Sequence, residues 1–231
     1  MTLSKHDIIY KFCDGLNQDL ANSLLIIGSA GIGKTYTVLS SLKKLKMKEG
    51  ENFRYLNNYS SPLEFYHILE EINELKKSRI LVLDDCEEFI NNKRILGILR
   101  AALWAGIDGK RVVHWNSTST KVKTNNFEFT GNIIFLVNEL NLKNNLIKAL
   151  ISRGFYYHLK LSNQEKINLM RIKAKEPYKN LNYKDRQKIV NYLAEISKYS
   201  DKLTLRSLTM AFNLYILSPN HYKTLISKML V

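Results

Sequence analysis

The chain has 231 residues, of which 45 % are hydrophobic and 24 % charged. That mixture offers enough apolar surface to offset the entropy of ordering, which excludes a disordered chain. At ~150 residues per domain the length predicts one full domain and a smaller one. Thirty-five Lys and Arg against twenty-one Asp and Glu give a net charge of +14, read either as a surface that attracts polyanions, nucleic acid before an anionic membrane, or as lysine serving as solubility filler.

The charge is uneven. Residues 1–160 carry 22 basic and 16 acidic groups, whereas residues 161–231 carry 13 and 5, net +8 in less than half the length. No apolar run approaches ~18 residues, so no transmembrane helix is predicted. Lys5, Asp7, Lys11, Asp14 and Asp19 interrupt the first twenty residues, which argues against a secretory signal. The two cysteines, Cys13 and Cys86, lack metal-ligand spacing and make no disulfide framework. A reducing, cytoplasmic setting is expected.

In chain order, a helical segment over Lys5 to Leu20 precedes an apolar run, Leu24 to Ile27, that stops at Gly28 and reads as a short buried strand. A helix is predicted over Lys34 to Met47, then a strand over Phe53 to Leu56. Ser61-Pro62-Leu63-Glu64 signals a helix start, with Ser as N-cap and Pro at the first position, and that helix should run to about Lys76. Ile80 to Leu83 is the next buried strand, ending at Asp84-Asp85. Ile95 to Ala105 is helical. Arg111 to Trp115 and Phe127 to Phe129 flank a polar turn, Asn116 to Asn126, and read as a hairpin. Ile133 to Val137 is again apolar and ends at Asn138. Near-continuous apolar strands alternating with helices predict an α/β fold with a parallel sheet covered on both faces. After about Lys160 no strand is expected. A capping box at Ser162 to Glu165 opens the first of three helices, with a short fourth to follow. The predicted organisation is an α/β core over 1–160 and a small all-helical domain over 161–231.

Gly28-Ser29-Ala30-Gly31-Ile32-Gly33-Lys34-Thr35 fits G-x-x-x-x-G-K-[ST] at every position, after a buried strand and at the start of a helix. The chemistry requires that arrangement. Small residues let backbone N–H groups surround phosphates, Lys34 reaches the β- and γ-phosphates, and the Thr35 hydroxyl takes a Mg²⁺ position. The helix N-terminus adds a favourable dipole. The second acidic strand end, Ile80 to Asp85, supplies Asp84 for the metal and Asp85 to polarise the attacking water, with Glu87 and Glu88 competing for that role. Cys86 reads as a small buried filler, and His114 as a strand residue.

With these motifs the chain resembles the AAA+ ATPases over nearly its whole length. Gly28–Thr35 is similar to their Walker A motif and Ile80–Asp85 to their Walker B. Gly131 to Asn138 resembles the sensor 1 strand with Asn138 as the sensor. Ala149 to Arg153 resembles the segment that carries the arginine finger, with Arg153 as the finger, and Leu203 to Arg206 resembles the start of the sensor 2 helix, with Arg206 as the sensor. The resemblance implies an AAA+ (P-loop NTPase) core followed by a helical lid, ATP and Mg²⁺ as cofactors, and ATPase activity. One departure stands out: the Walker B pair is usually Asp-Glu and here is Asp84-Asp85, as in initiator and helicase-loader branches.

The hairpin resembles one placed before sensor 1 in helicase-related members, where tips touch DNA; Lys121 and Lys123 are the candidate contacts. The resemblance implies a homo-oligomeric ring or open spiral, hexameric in one form, with DNA and a helicase or other replication protein as partners and no membrane. The compact size resembles AAA+ proteins of phages and mobile elements, which implies the cytoplasm of a virus-infected or plasmid-bearing host. Two alternatives stay open: a remodeller of protein partners, with Tyr59 or Trp115 as a threading aromatic, and a weakly catalytic nucleotide switch.

Overall fold

The computed structural model describes residues 3–57, 60–75, 79–87, 90, 92–115, 122, 124–140 and 145–230. Tyr59, Glu88, Lys121 and Lys123 lie outside the described residues. The chain divides into two compact units, Met1–Gly28 with Lys34–Leu159, and Ser29–Gly33 with Lys160–Val231.

The first unit opens with α1 (Lys5–Asn17), which is closed at its start by reciprocal bonds between Ser4 and Asp7. Then follow β1 (Ser23–Ile27), α2 (Lys34–Lys44), β2 (Phe53–Leu56), α3 (Pro62–Asn73), β3 (Ile80–Asp84) and α4 (Lys93–Leu103). β4 (Val112–His114), β5 (Asn126–Glu128), β6 (Asn132–Val137), α5 (Asn145–Ile151) and β7 (Phe155–His158) complete it. Five strands form a parallel sheet in the order β2-β3-β6-β1-β7. Every residue of β1, β3 and β6 is buried, because crossover helices cover both faces of such a sheet. On one face Leu25, Leu83, Phe135 and Val137 join a core with Phe65 and Leu69 of α3 and Ile95 and Leu99 of α4. On the other, α1 packs on β1 and α2, with Ile9, Cys13, Leu16, Val38 and Leu42 buried.

The helix ends differ from the sequence expectation by a few residues. α2 stops at Lys44 rather than Met47, since Lys46 turns to the left-handed region at φ 60° and ends the helix. α3 stops at Asn73 rather than Lys76. α4 begins two residues before Ile95, because Asn92 caps it by accepting from the Arg94 and Ile95 amides. β4 and β5 pair antiparallel, Val113 opposite Phe127, as the hairpin reading expects.

α5 and β7 had no sequence expectation. β7 lies beside β1 at the sheet edge, with Leu24 opposite Phe155. Its residues Phe155, Tyr156 and Tyr157 are only half-buried, so it lacks the continuous apolar run that marked the central strands. Phe155 is held against α1 by the Phe12 ring at 5.0 Å.

The second unit packs α6 (Asn163–Lys173), α7 (Tyr183–Ile196), α8 (Arg206–Leu217) and α9 (Tyr222–Leu230) around Ile167, Met170, Ile189, Leu193, Leu208, Phe212 and Ile226. Both halves of the capping box between Ser162 and Glu165 form at the start of α6. The buried Arg186 guanidinium donates to the Ala174 carbonyl at 2.9 Å and to that of Leu181, fixing the turn between α6 and α7.

Candidate active site

Sheet register gathers the candidate residues. Ile27 lies opposite Val137, and Asp84 opposite Leu136. The residues that leave the carboxyl ends of β1, β3 and β6 are therefore level with one another, at the edge where open α/β sheets hold ligands. The Gly28 amide donates to the Val137 carbonyl at 3.2 Å, which ties the start of the loop to the end of β6.

Lys34 opens α2 and is only 6 % exposed. Its ammonium donates to the Gly28 carbonyl at 2.7 Å and to Asn138 Oδ1 at 2.8 Å. The Asn138 Nδ2 donates to Asp85 Oδ1 at 3.0 Å, and its backbone N–H to Glu87 Oε1. The two ends of the amide are thus distinguished, oxygen toward the cation and nitrogen toward a carboxylate. One asparagine links Lys34, Asp85 and Glu87.

Asp84 is also buried. Its Oδ2 accepts from the Thr35 hydroxyl at 2.6 Å and from the Tyr55 hydroxyl at 2.8 Å, and its Oδ1 from the Asp85 amide at 3.1 Å. Burial, and then the bond to Asp84, push the Tyr55 phenol well above its ordinary range, so Tyr55 stays a neutral donor. Asp85 is exposed and sits at φ 48°, a left-handed conformation that Asp tolerates better than most residues. Cys86 is buried near the Leu136 carbonyl, and burial raises its thiol far above the ordinary value. It packs as a filler, not as a nucleophile.

Gly31 and Gly33 adopt φ 74° and 88°, which side chains rarely take, and Ile32 between them is buried. Within the second unit the Leu205 amide donates to the Gly31 carbonyl at 2.9 Å. A Cβ on Gly31 would lie 3.0 Å from the Thr204 Cβ, and one on Gly33 3.1 Å from Leu205 Cδ1. Ser29 and Ala30 are exposed. These residues fit the groups their motifs imply. The Thr35 hydroxyl and the Asp84 carboxylate are hard oxygen donors, suited to Mg²⁺. Small, exposed residues before a helix N-terminus suit phosphate oxygens.

The Arg153 guanidinium lies 3.6 Å from the centre of the Trp104 ring and donates to the Ala149 carbonyl. Arg206 is the first residue of α8, exposed, in the second unit. Trp115 is partly buried and packs against the core, its ring 5.5 Å from that of Tyr66, so it does not stand free as a threading aromatic. No motif or spacing in the sequence marks Tyr55 or Trp104. Each acts across a long gap in the chain, on Asp84 and Arg153, and neither belongs to a motif.

No family model matches the chain. It is 29 % identical over 175 residues to the uncharacterized 36.7 kDa protein in the nrdC-mobD intergenic region of Enterobacteria phage T4. The match covers 71 % of this chain and 52 % of the relative, so the chain spans about half the length of that curated protein. Among solved structures, PCH-2 of C. elegans matches with a TM-score of 0.55 at 13 % identity, over 97 % of this chain and 67 % of that one. A mutant of RuvB from Thermotoga maritima matches with a TM-score of 0.60 at 11 % identity, over 96 % and 69 %. The HORMA:CdnC:Trip13 complex of E. coli MS115-1 contains a chain with a TM-score of 0.51 at 12 % identity, over 98 % and 87 %. The fold is that of the AAA+ ATPases, a parallel-sheet α/β core with a helical lid.

Proposed function

We propose that this AAA+-fold chain binds ATP with Mg²⁺ at Gly28–Thr35, hydrolyses it to ADP and phosphate, and uses the turnover on nucleic acid. DNA replication or mobilisation is the setting, as a helicase loader, initiator or small motor. The observation that carries the reading is the convergence on one strand edge of Lys34, Asn138 and Asp85, beside Thr35 with Asp84.

Each group has a role its chemistry fits. Lys34 holds β- and γ-phosphate oxygens, and Asn138 keeps its ammonium aimed along the loop. Thr35 and Asp84 hold Mg²⁺, which when bound supplies charge to the phosphate oxygens. Asp85 accepts the proton of the attacking water, oriented by the Asn138 amide. Arg153 reaches the γ-phosphate of a neighbouring copy in a ring or spiral, and Arg206 senses nucleotide from the lid. The net charge of +14 supports a polyanionic substrate, with Lys121 and Lys123 as one contact. The phage relative supports the cytoplasm of an infected cell as the place of action.

A protein-remodelling role is the second reading, favoured by the structural neighbour solved in a HORMA:CdnC:Trip13 complex. The deciding experiment measures phosphate release with no DNA, with single-stranded DNA and with duplex, beside the particle mass with an ATP analogue. Nucleic-acid stimulation of an oligomer supports the first reading. Turnover indifferent to nucleic acid, but raised by a protein partner, supports the second.

A further inference from the structure

The helical unit carries a groove lined by none of the motif residues. Tyr183, Lys184, Lys188 and Tyr192 of α7 face Tyr222 and Lys223 at the start of α9 across a cavity of 510 Å³, within the ~300–1,000 Å³ typical of ligand pockets. Positions 184, 188 and 192 are successive turns of one helix face. Lys184, Lys188 and Lys223 are exposed, and among the described residues none forms an ion pair. Lys223 instead sits 5.1 Å from the centre of the Tyr192 ring, and Lys188 5.9 Å from those of Tyr215 and Tyr222. Among the described residues, Glu195 is the single carboxylate on the wall. Asp185, nearby on α7, is engaged by the hydroxyl of Tyr215 and the amide of Asn182.

The tyrosines are braced as a platform. Tyr222 meets Tyr215 edge-on at 4.9 Å and Tyr192 at 5.9 Å. The Tyr192 hydroxyl donates to the Lys223 carbonyl, tying α7 to α9. Tyr183 is 51 % exposed, with the Arg186 guanidinium 5.9 Å from its ring centre. The Tyr222 side chain is buried between the Tyr192 and Tyr215 rings and fixes the floor of the groove.

From lysines without a carboxylate partner beside exposed and braced rings, we infer that this groove binds single-stranded nucleic acid, with phosphates on Lys184, Lys188 and Lys223 and a base stacked on Tyr183. The inference rests on the nucleic-acid reading of the protein and gives it a second contact, on the lid. A strand of alternating phosphate and aromatic base matches both features at once. An acidic peptide satisfies the lysines but leaves the rings without a partner. Such binding is tolerant of sequence, because every base has a stacking face.

The test is fluorescence anisotropy of a labelled oligothymidylate with the full chain across a salt series. The Lys184→Ala/Lys188→Ala/Lys223→Ala variant should lower the log–log salt slope by about 2, at ~0.7 per phosphate on a single strand. Tyr183→Ala should weaken binding at least ~5-fold, from the stacking lost per base, while Tyr183→Phe keeps it. Basal ATP hydrolysis should be unchanged in all three. If the parent binds and the triple variant keeps the parental slope, the groove is not the contact and the nucleic-acid reading stands without it. If the parent binds no oligonucleotide at low salt, the wider reading fails and the inference with it. Saturable binding of polyglutamate that depends on the same lysines but not on Tyr183 reassigns the groove to an acidic protein segment and overturns the proposal.

Discussion

The Lys34 ammonium and the Asn138 side-chain oxygen meet at 2.8 Å across 104 positions of sequence. The bond joins the helix after the first central strand to the residue leaving the middle one. Lys34 also takes the Gly28 carbonyl, so losing Asn138 removes one of these two bonds, whereas losing Lys34 removes the charge. Lys34→Ala should therefore lower ATP affinity or turnover on the order of a hundredfold, the effect of deleting a charged contact to phosphate. Asn138→Ala should keep nucleotide binding and lose turnover, because it leaves Asp85 without its amide. Binding of a fluorescent ATP analogue beside phosphate release checks both. Parental kinetics in Lys34→Ala would show the loop to be misassigned.

Among the described residues, Asp84, Asp85 and Glu87 lie at this edge, and their environments predict different effects. Asp84 is buried and accepts bonds from Thr35 and Tyr55, so Asp84→Asn should weaken Mg²⁺-dependent binding. Asp85 is exposed and held by Asn138, so Asp85→Asn should retain ATP and slow its hydrolysis. Glu87 accepts a backbone amide, which marks it as a positioning group, and Glu87→Gln should cost less than Asp85→Asn. Single-turnover rates separate the cases. Full turnover in Asp85→Asn with none in Glu87→Gln would move the base to Glu87.

Gly154 immediately precedes β7, and a Cβ there would overlap the Ser23 hydroxyl and carbonyl. Gly154→Ala should destabilise the first unit by ~1–3 kcal/mol, as overpacking does. A lower urea midpoint with an unchanged slope is the expected reading. An unchanged midpoint would mean that β7 moves away from β1 at no cost.

The same edge shows what the sequence made legible. The strands β1, β3 and β6 are covered on both faces, so four or more apolar residues in a row announced them, and the loop and acid motifs fixed where their ends must meet. Only pairing with β1 and the Phe12 contact make Phe155-Tyr156-Tyr157-His158 a strand. Half-buried aromatics at a sheet edge carry no period that separates them from a loop. Tyr55 and Trp104 are silent in the sequence for a related reason: each matters for one contact with a residue distant in sequence. The lid helices were legible from Ser162 and Glu165 and from the spacing of Ile189, Leu193 and Ile196. The groove they form was not, since it needs α7 and α9 side by side.

Both thiols are buried, and burial pushes that of Cys13 up to about 12 and that of Cys86 well above its ordinary value. The thiolate is the reactive form. Between pH 7 and 9 the folded protein should therefore react with a disulfide reagent far more slowly than the urea-unfolded chain, whose thiols titrate near ~8.5. Because folding raises these values, the ratio of unfolded to native labelling rate should be largest below the unfolded value and shrink as pH rises through it toward the folded one. Rapid labelling of native protein at pH 8 would show that α1 or the end of β3 opens readily.

Arg153 tests whether copies act on one another. Its guanidinium is stacked on Trp104 and bonded to the Ala149 carbonyl, so within one chain it already has partners, and a role at phosphate requires an orientation that the ring can support. If Arg153 completes the site of a neighbouring copy, Arg153→Ala should lower turnover by ~10³-fold or more while leaving ATP binding intact. Trp104→Ala should cost less, since it removes the brace and leaves the charge, and Trp104→Phe should restore part of the loss through the remaining ring. The decisive measurement mixes Arg153→Ala with Asp85→Asn subunits. Each is inactive alone, because every interface lacks either the arginine or the base. In mixed rings some interfaces pair an intact Arg153 with an intact Asp85, and activity should return in proportion to those interfaces. Mixed rings demonstrated by mass, yet inactive, would place Arg153 in its own subunit's architecture and leave the stack on Trp104 as its whole role.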